Sequence, residues 1–167
     1  MGLFDAFKKK EAFKALNVSD QDITAMADGE LIDVTTVSDH VFAQKMMGES
    51  VAFNYTQDKV TVCSPANGTL SVLFPTGHAF GVTMKDGTEL LVHIGIDTVS
   101  ANGDGFKVLN KKQGTSIKAG EPVVEVDFKK LRQKYDMPVM LIVTNSSEHP
   151  VSFINPSTVT RGQKVNL

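Results

Sequence analysis

From about residue 23 onward, the chain alternates short apolar runs with turn residues. Runs that are rich in β-branched side chains and bounded by Gly, Pro, Asn or Asp are typical of strands. They predict eight strands, over residues 30–37, 50–55, 59–63, 69–74, 79–84, 89–94, 122–126 and 138–144. The segment 127–135 has the i, i+3, i+7 spacing of a helix, in Phe128, Leu131 and Tyr135. The pattern predicts an all-β fold, an antiparallel sandwich or barrel with one short helix.

The dipeptide Asp86-Gly87 separates two of these runs and predicts a hairpin. Both residue types tolerate the positive φ of a two-residue type I′ turn, so the flanking strands should pair antiparallel. A hairpin centred on this turn places His93 opposite Phe80 or a neighbour, with His78 one or two positions further along. The two imidazoles are therefore expected to meet on one face of the sheet.

Alternation along the second strand of this hairpin indicates which face that is. One face carries the apolar residues expected in the core, Leu90, Val92 and Ile94, and the other carries Leu91, His93 and Gly95. Asp97 follows on the second face, and Thr76 lies on the face of His78. The sequence thus predicts two apposed imidazoles that another macromolecule can reach.

Three interpretations of the histidine pair stay open at this point. The rings can be structural, or they can be a functional pair in which one neutral imidazole acts as nucleophile and the other donates a hydrogen bond to a transferring phosphoryl group. They can also bind a metal, but two histidines supply half of a tetrahedral zinc shell, so a partner would have to complete it. His40 and His149 are expected at the surface.

Charge and cysteine content narrow the class of protein. The chain of 167 residues has 17 Lys and Arg against 19 Asp and Glu, a net charge of −2, which argues against a nucleic-acid partner. Its one cysteine, Cys63, cannot form an internal disulfide, and we expect it in a buried strand of a cytoplasmic protein. The longest apolar run, 139–143, is far shorter than the roughly 18 to 20 residues of a membrane span.

The first 20 residues differ from the rest and predict an amphipathic, flexible leader that precedes a single domain over 21–167. Leu3, Phe4 and Phe7 share one helical face, and lysines follow at 8–10. Either a weakly packed terminus or a weak, reversible contact with a membrane or partner fits this pattern. Ala6 stands where a myristoylation signal requires Ser or Thr.

Several segments together resemble a known family. They are Val-Phe-Ala-Gln-Lys-Met-Met-Gly at 41–48, Ser-Pro-Ala-Asn-Gly-Thr at 64–69, Phe-Pro-Thr-Gly-His-Ala-Phe at 74–80, and Glu-Leu-Leu-Val-His-Ile-Gly-Ile-Asp-Thr-Val at 89–99. The chain resembles the glucose-class enzyme IIA of the bacterial phosphoenolpyruvate-dependent sugar phosphotransferase system, over nearly all of its length from about residue 23. The resemblance implies an antiparallel β-sandwich of the barrel-sandwich hybrid type.

The resemblance also implies a function and a site. A protein of this kind accepts a phosphoryl group from the histidine-containing phosphocarrier protein and passes it to a cysteine of a sugar-specific enzyme IIB. By similarity His93 is the phosphoacceptor, His78 supports the transfer, Thr76 orients the pair, and Gly95 and Asp97 shape the site. The implied docking residues are Val41, Phe42, Met46, Met47, Phe74, Leu91 and Val99. No cofactor is required, and a zinc ion shared by His78 and His93 with a partner stays open, as does regulation of permeases or kinases by binding.

Some positions depart from the family pattern. Gly77 stands where Asn is common, Met46 and Met47 replace a β-branched pair, and His40 replaces an apolar residue, all of which bear on the choice of partner. The alternative is a biotinyl or lipoyl carrier module, in which Lys85 in its tight turn would be modified. The residues that flank Lys85 do not match a biotinylation site.

Overall fold

The computed structural model describes residues 13–109 and 111–167, and within them the chain forms eleven strands and two short α-helices. The strands are β1 (Gly29–Ile32), β2 (Glu49–Asn54), β3 (Lys59–Cys63), β4 (Gly68–Leu73), β5 (Ala79–Met84), β6 (Glu89–Ile94), β7 (Phe106–Val108), β8 (Ser116–Ile117), β9 (Pro122–Asp127), β10 (Val139–Val143) and β11 (Ser157–Val159). The α-helices are α1 (His40–Ala43) and α2 (Phe128–Leu131), and 3₁₀ turns cover Val34–Thr36 and Thr98–Ala101.

The strands form two antiparallel sheets, which confirms the predicted all-β sandwich. The larger sheet has the order β11-β1-β2-β10-β6-β5-β4-β8 and the smaller has the order β3-β9-β7. The main core cluster includes side chains from both sheets, with Phe53, Phe80 and Phe128 among the largest fully buried ones. Strand β10 lies between β2 and β6 and is buried at every position, since it also contacts a second, smaller core cluster.

The second core cluster positions helix α1 on the larger sheet. It consists of Val34, Phe42, Ala52, Ile96, Met140 and Ile142. Ala52, Met140 and Ile142 alternate along β2 and β10 with residues of the main cluster, so this cluster lies on the opposite face of the larger sheet. Phe42 comes from α1, and the cluster therefore fixes α1 against the sheet.

Several elements differ from the sequence prediction. The first predicted strand, 30–37, ends at Ile32, because Asp33 accepts a hydrogen bond from the Thr35 amide and caps the 3₁₀ turn that follows. The helix predicted over 127–135 is a single α-helical turn, Phe128–Leu131, followed by turns. The prediction of one helix was wrong, because α1 was missed, and β7, β8 and β11 were missed as well.

The hairpin between β5 and β6 forms as predicted, but its turn is of another type. Gly87 has φ 95° and its amide donates to the Met84 carbonyl, whereas positive φ is not found at Asp86, which a type I′ turn would require. The arrangement is a turn with a following glycine in the left-handed region, which adds one residue to the loop. The pairing shifts accordingly, and His93 lies opposite Ala79, the neighbour of Phe80.

The predicted leader lies partly outside the described residues. Residues 1–12, which include Leu3, Phe4 and Phe7, are not described. The Leu16 amide donates a 2.8 Å hydrogen bond to the Ala119 carbonyl, so the chain contacts the domain ahead of residue 20. The boundary at residue 20 stays a prediction. None of the helices in the described ranges has the length and apolar character needed to cross a membrane.

Candidate functional site

The hairpin brings the two histidines together as the sequence predicted. His93 lies on β6, and His78 directly precedes β5 with its carbonyl bonded to the Ile94 amide at 2.8 Å. Their ring centroids are 5.6 Å apart, and the ring planes meet at 80°, an edge-to-face arrangement. His93 is partly exposed, but His78 is buried, so the prediction that both rings are accessible was wrong for His78. The Phe74 ring packs at a tilt on the ring of His78, with the two centroids 5.0 Å apart.

The Nδ1 atom of His93 lies 2.8 Å from the carbonyl oxygen of Gly95. A carbonyl oxygen can only accept a hydrogen bond, so we assign the proton of the neutral ring to Nδ1. The Nε2 atom then carries the lone pair, and it is the nitrogen that can act as nucleophile. The backbone at Gly95 thus sets the tautomer of His93.

Glycine is required at position 95 to make this contact. Its φ is 77°, and a Cβ atom there would lie 2.5 Å from Thr98 Cγ2 and 2.7 Å from Met137 Sδ. Any side chain would therefore combine backbone strain with a clash and would displace the carbonyl that holds His93. This contact gives a structural reason for the role of Gly95 in shaping the site, which stays a prediction.

The second histidine is held by a side chain. Thr76 Oγ1 lies 2.7 Å from His78 Nδ1, and because a hydroxyl can donate or accept, this contact permits either tautomer. If the hydroxyl donates, His78 carries its proton on Nε2 and can itself donate from that atom. The sequence predicted that Thr76 and His78 share a face, and the structure brings them into contact.

Burial sets the protonation of both rings. It lowers the pKa of His78 below 6.5. It also lowers the pKa of His93, where the hydrogen bond to Gly95 and the charges of Asp39 and Asp97 act in the opposite direction and His78 adds to the lowering. Both imidazoles are therefore neutral near pH 7. Asp97 lies on the exposed surface with φ 60°, close enough to act on His93 through its charge.

These two pKa shifts predict how stability depends on pH. Each histidine has a lower pKa folded than unfolded, so the unfolded chain binds more protons below about pH 6.5, and the free energy of unfolding should fall as the pH drops through that region. Urea unfolding at a series of pH values would measure it. The double variant His78→Gln, His93→Gln should show a weaker dependence there. Equal dependence in both proteins would contradict the assignment, because the carboxylates whose pKa is lowered, Asp33, Asp86 and Asp104, lose their contribution to stability only below about pH 4.

The predicted docking residues differ in how far they are exposed. Val41, Met46, Met47, Phe74 and Val99 are exposed. Leu91 is partly buried and packs on the second core cluster, to which Phe42 belongs. We call the exposed side chains, together with Val72, the apolar rim, namely Val41, Met46, Met47, Val72, Phe74 and Val99.

Val72 was missed by sequence reasoning. Strict alternation along β4 would group it with the fully buried Leu70, but it is 40% exposed. A register shift between Leu70 and Val72 breaks the alternation, and Val72 lies over Gly81, whose neighbour across the sheet is Leu91. A bulge of this kind leaves no clear signal in the sequence.

The remaining candidates lie away from the pair or add nothing to it. Within the described ranges, no group of three His, Cys, Asp or Glu residues is arranged to hold a metal.

Cys63 is fully buried at the end of β3, as predicted, and burial raises its pKa to about 11. Lys85 lies in the hairpin turn with its Nζ atom 3.5 Å from Asp20 Oδ2. His40 is exposed, as expected, and His149 is partly buried beside Gly87.

Comparisons with known proteins define the class. Residues 21–149 match the family described as phosphoenolpyruvate-dependent sugar phosphotransferase system, EIIA 1. The chain is 34% identical over 168 residues to the PTS system glucose-specific EIIA component of Haemophilus influenzae, covering 100% of this chain and 98% of that relative. The solved structure titled glucose permease IIA from Mycoplasma capricolum matches with a TM-score of 0.77 and 32% identity, over 87% of this chain and 93% of that chain.

A longer relative shows the same domain within a larger protein. The PTS system glucoside-specific EIICBA component of Staphylococcus carnosus is 35% identical over 146 residues, which cover 87% of this chain and 21% of the relative. The chain therefore spans about a fifth of that protein's length.

The β-sandwich and these relatives define an enzyme IIA component of a sugar phosphotransferase system. The chain belongs to the EIIA 1 family of the phosphoenolpyruvate-dependent sugar phosphotransferase system, and within it to the glucose class. The family resemblance seen in the sequence is confirmed.

Proposed function

We propose that the protein carries a phosphoryl group on Nε2 of His93, taking it from the histidine-containing phosphocarrier protein and passing it to a cysteine of a sugar-specific enzyme IIB. The observation that carries this proposal is the 2.8 Å contact between His93 Nδ1 and the Gly95 carbonyl, which leaves the lone pair on Nε2. On acceptance, the Nε2–P bond forms as the N–P bond of the donor breaks. On delivery, a cysteine thiolate attacks phosphorus, the S–P bond forms as the Nε2–P bond breaks, and the electron pair of the broken bond returns to Nε2 of His93.

His78 is proposed to assist by donating a hydrogen bond. With Thr76 donating to Nδ1, the Nε2–H of His78 can reach an oxygen of a phosphoryl group on the neighbouring ring. Phosphoryl transfer depends mainly on placement and on stabilising the charge of the three oxygens, so a donor fixed in this way is sufficient assistance. In this proposal His93 accepts the phosphoryl group, and His78 stabilises the charge on its oxygens.

The apolar rim is proposed to bind both partners. Met46 is 66% exposed, and methionine side chains adapt to more than one surface, which suits a protein that meets a donor and an acceptor in turn. Asp39 and Asp97 act on His93 through their charge and would favour partners with basic groups near their own reactive residue.

We propose a cytoplasmic location, where Cys63 stays reduced. We also propose that the apolar rim binds permeases or kinases.

A zinc ion would need a ligand from such a partner. The Nδ1 atoms of His78 and His93 take part in hydrogen bonds, so their Nε2 atoms are the available donors. Two imidazole nitrogens fit half of a tetrahedral zinc site, and a carboxylate of the partner would have to contribute to the rest. We propose zinc in a partner complex and no cofactor for the transfer itself.

Intact mass spectrometry tests the proposal. The protein is mixed with phosphoenolpyruvate, enzyme I and the phosphocarrier protein, with an established enzyme IIA as a control for the relay. We expect one phosphoryl adduct that is lost in acid, as a phosphohistidine would be, and that disappears when a glucose-class enzyme IIB is added. If the control is phosphorylated and this protein is not, the proposed relay function is wrong.

A further inference from the structure

Phe42 differs from the residues with which the sequence grouped it. Its side chain is only 9% exposed, whereas Val41, its neighbour on α1, is 42% exposed. It packs into the second core cluster with Met140 and Ile142 of β10. A side chain with so little exposed surface offers a partner almost nothing to bind, so its proximity to the site calls for another explanation.

The Phe42 ring lies directly against the imidazole of His93. The two ring centroids are 5.0 Å apart, and the planes are tilted by 45°. His93 therefore has three identified contacts, with Phe42, with the edge-to-face ring of His78, and with the Gly95 carbonyl through Nδ1. The single hydrogen bond fixes one atom of the imidazole, and a packed ring restricts rotation about the side-chain torsions.

The helix that carries Phe42 depends on the same packing. Helix α1 has four residues, far too few to be stable alone. The Asp39 carboxylate caps it by accepting from the amides of Val41 and Phe42, at 2.8 Å and 3.4 Å. Phe42 is its one residue in the second core cluster, so the contact that holds α1 on the sheet is also the contact that holds His93.

We propose that Phe42 is a positioning residue for His93, which keeps the imidazole in the orientation where Nδ1 meets the Gly95 carbonyl and Nε2 is free to react. The role in catalysis rests on the proposed function, but the effect on the ring is a property of the free protein. Val41 on the outer side of the same helix belongs to the apolar rim, so α1 has one residue for the partner and one for the phosphoacceptor.

The variants Phe42→Leu and Val41→Ala separate positioning from docking. Phe42→Leu removes the aromatic ring and keeps an apolar side chain of similar length, and Val41→Ala changes the exposed residue of the same helix. Ring ¹⁵N chemical shifts of His93, recorded near pH 8 in the free protein, report which nitrogen carries the proton. Steady-state phosphorylation by the phosphocarrier protein gives kcat and KM.

We expect Phe42→Leu to shift the His93 ring nitrogens toward values averaged over both tautomers and to lower kcat about tenfold with little change in KM. Val41→Ala should leave the ring nitrogens unchanged and raise KM. Unchanged ring nitrogens in Phe42→Leu, with a raised KM, would overturn the proposal and make Phe42 a docking residue. If Phe42→Leu does not fold, Phe42→Met is measured against the same outcomes. If the wild type is not phosphorylated, the proposed function fails, and the ring nitrogens alone still decide the positioning.

Discussion

Replacing His93 by Gln should abolish phosphorylation of the protein, with a loss of at least about 10³-fold in the rate of adduct formation. The backbone of β6 is held by its pairing with β5 and β10, so the local structure around position 93 should persist in the variant. The nitrogen lone pair of the Gln amide is delocalised into the carbonyl and cannot attack phosphorus. The variant thus removes the nucleophile and leaves a polar group of comparable reach in its place.

The measurement is intact mass spectrometry after incubation with phosphoenolpyruvate, enzyme I and the phosphocarrier protein, with thermal unfolding recorded to show that the variant is folded. His149→Gln is the matched control, because His149 lies beside Gly87 at the other end of the β5–β6 hairpin, and its adduct should equal that of the wild type. An adduct of normal yield in His93→Gln would place the phosphoacceptor elsewhere, with His78 as the nearest imidazole.

The hairpin and its two faces could be predicted from the sequence because their signals are local. Alternation along β6 places Leu90, Val92 and Ile94 in the core, and the structure buries all three. The turn signal at Asp86-Gly87 was sufficient to pair the strands. The predicted turn type was wrong because the two types differ in the φ of Asp86, and an Asp-Gly dipeptide is compatible with both of them. The partner of His93 is nevertheless within the predicted range, since Ala79 is the neighbour of Phe80.

The elements that were missed are short and depend on the rest of the fold. Strands β7, β8 and β11 have two or three residues each, too few to show a period of two. Helix α1 has a cap at Asp39 but a single buried side chain, so the hydrophobic spacing of a helix is absent. The second core cluster that stabilises α1 joins residues from five separate segments between positions 34 and 142, and no local pattern indicates it.

In the candidate site, too, local signals in the sequence predicted some features, and contacts between distant residues determine the others. The proximity of His78, His93 and Thr76 follows from strand pairing, so the sequence could predict it. The tautomer of His93 depends on a backbone carbonyl at Gly95, and the burial of His78 depends on the Phe74 ring, which are contacts that residue spacing does not reveal. The roles that the family resemblance implies for these residues stay predictions until the variants are measured.

Replacing His78 by Ala should leave acceptance largely intact and impair delivery by about 10²-fold or more. Acceptance brings a neutral imidazole, His93, to the phosphoryl group, whereas delivery brings the anionic thiolate of enzyme IIB to a phosphoryl group that is already negative. The added charge in delivery makes a hydrogen-bond donor at its oxygens more important in that step. His78, fixed through Thr76 at 2.7 Å and set edge to face with His93, is the donor in position for this.

The two steps can be measured separately. The His78→Ala variant is phosphorylated and purified away from the relay proteins, a glucose-class enzyme IIB domain is then added, and both adducts are followed by rapid-quench mass spectrometry. His149→Ala, treated in the same way, should transfer like the wild type. Equal losses in acceptance and delivery would show that His78 serves both steps and that the charge of the incoming nucleophile does not distinguish them. A fully competent His78→Ala protein would mean that Thr76 and Phe74 hold a ring that the reaction does not use, and stabilisation of the phosphoryl oxygens would then have to come from the partners.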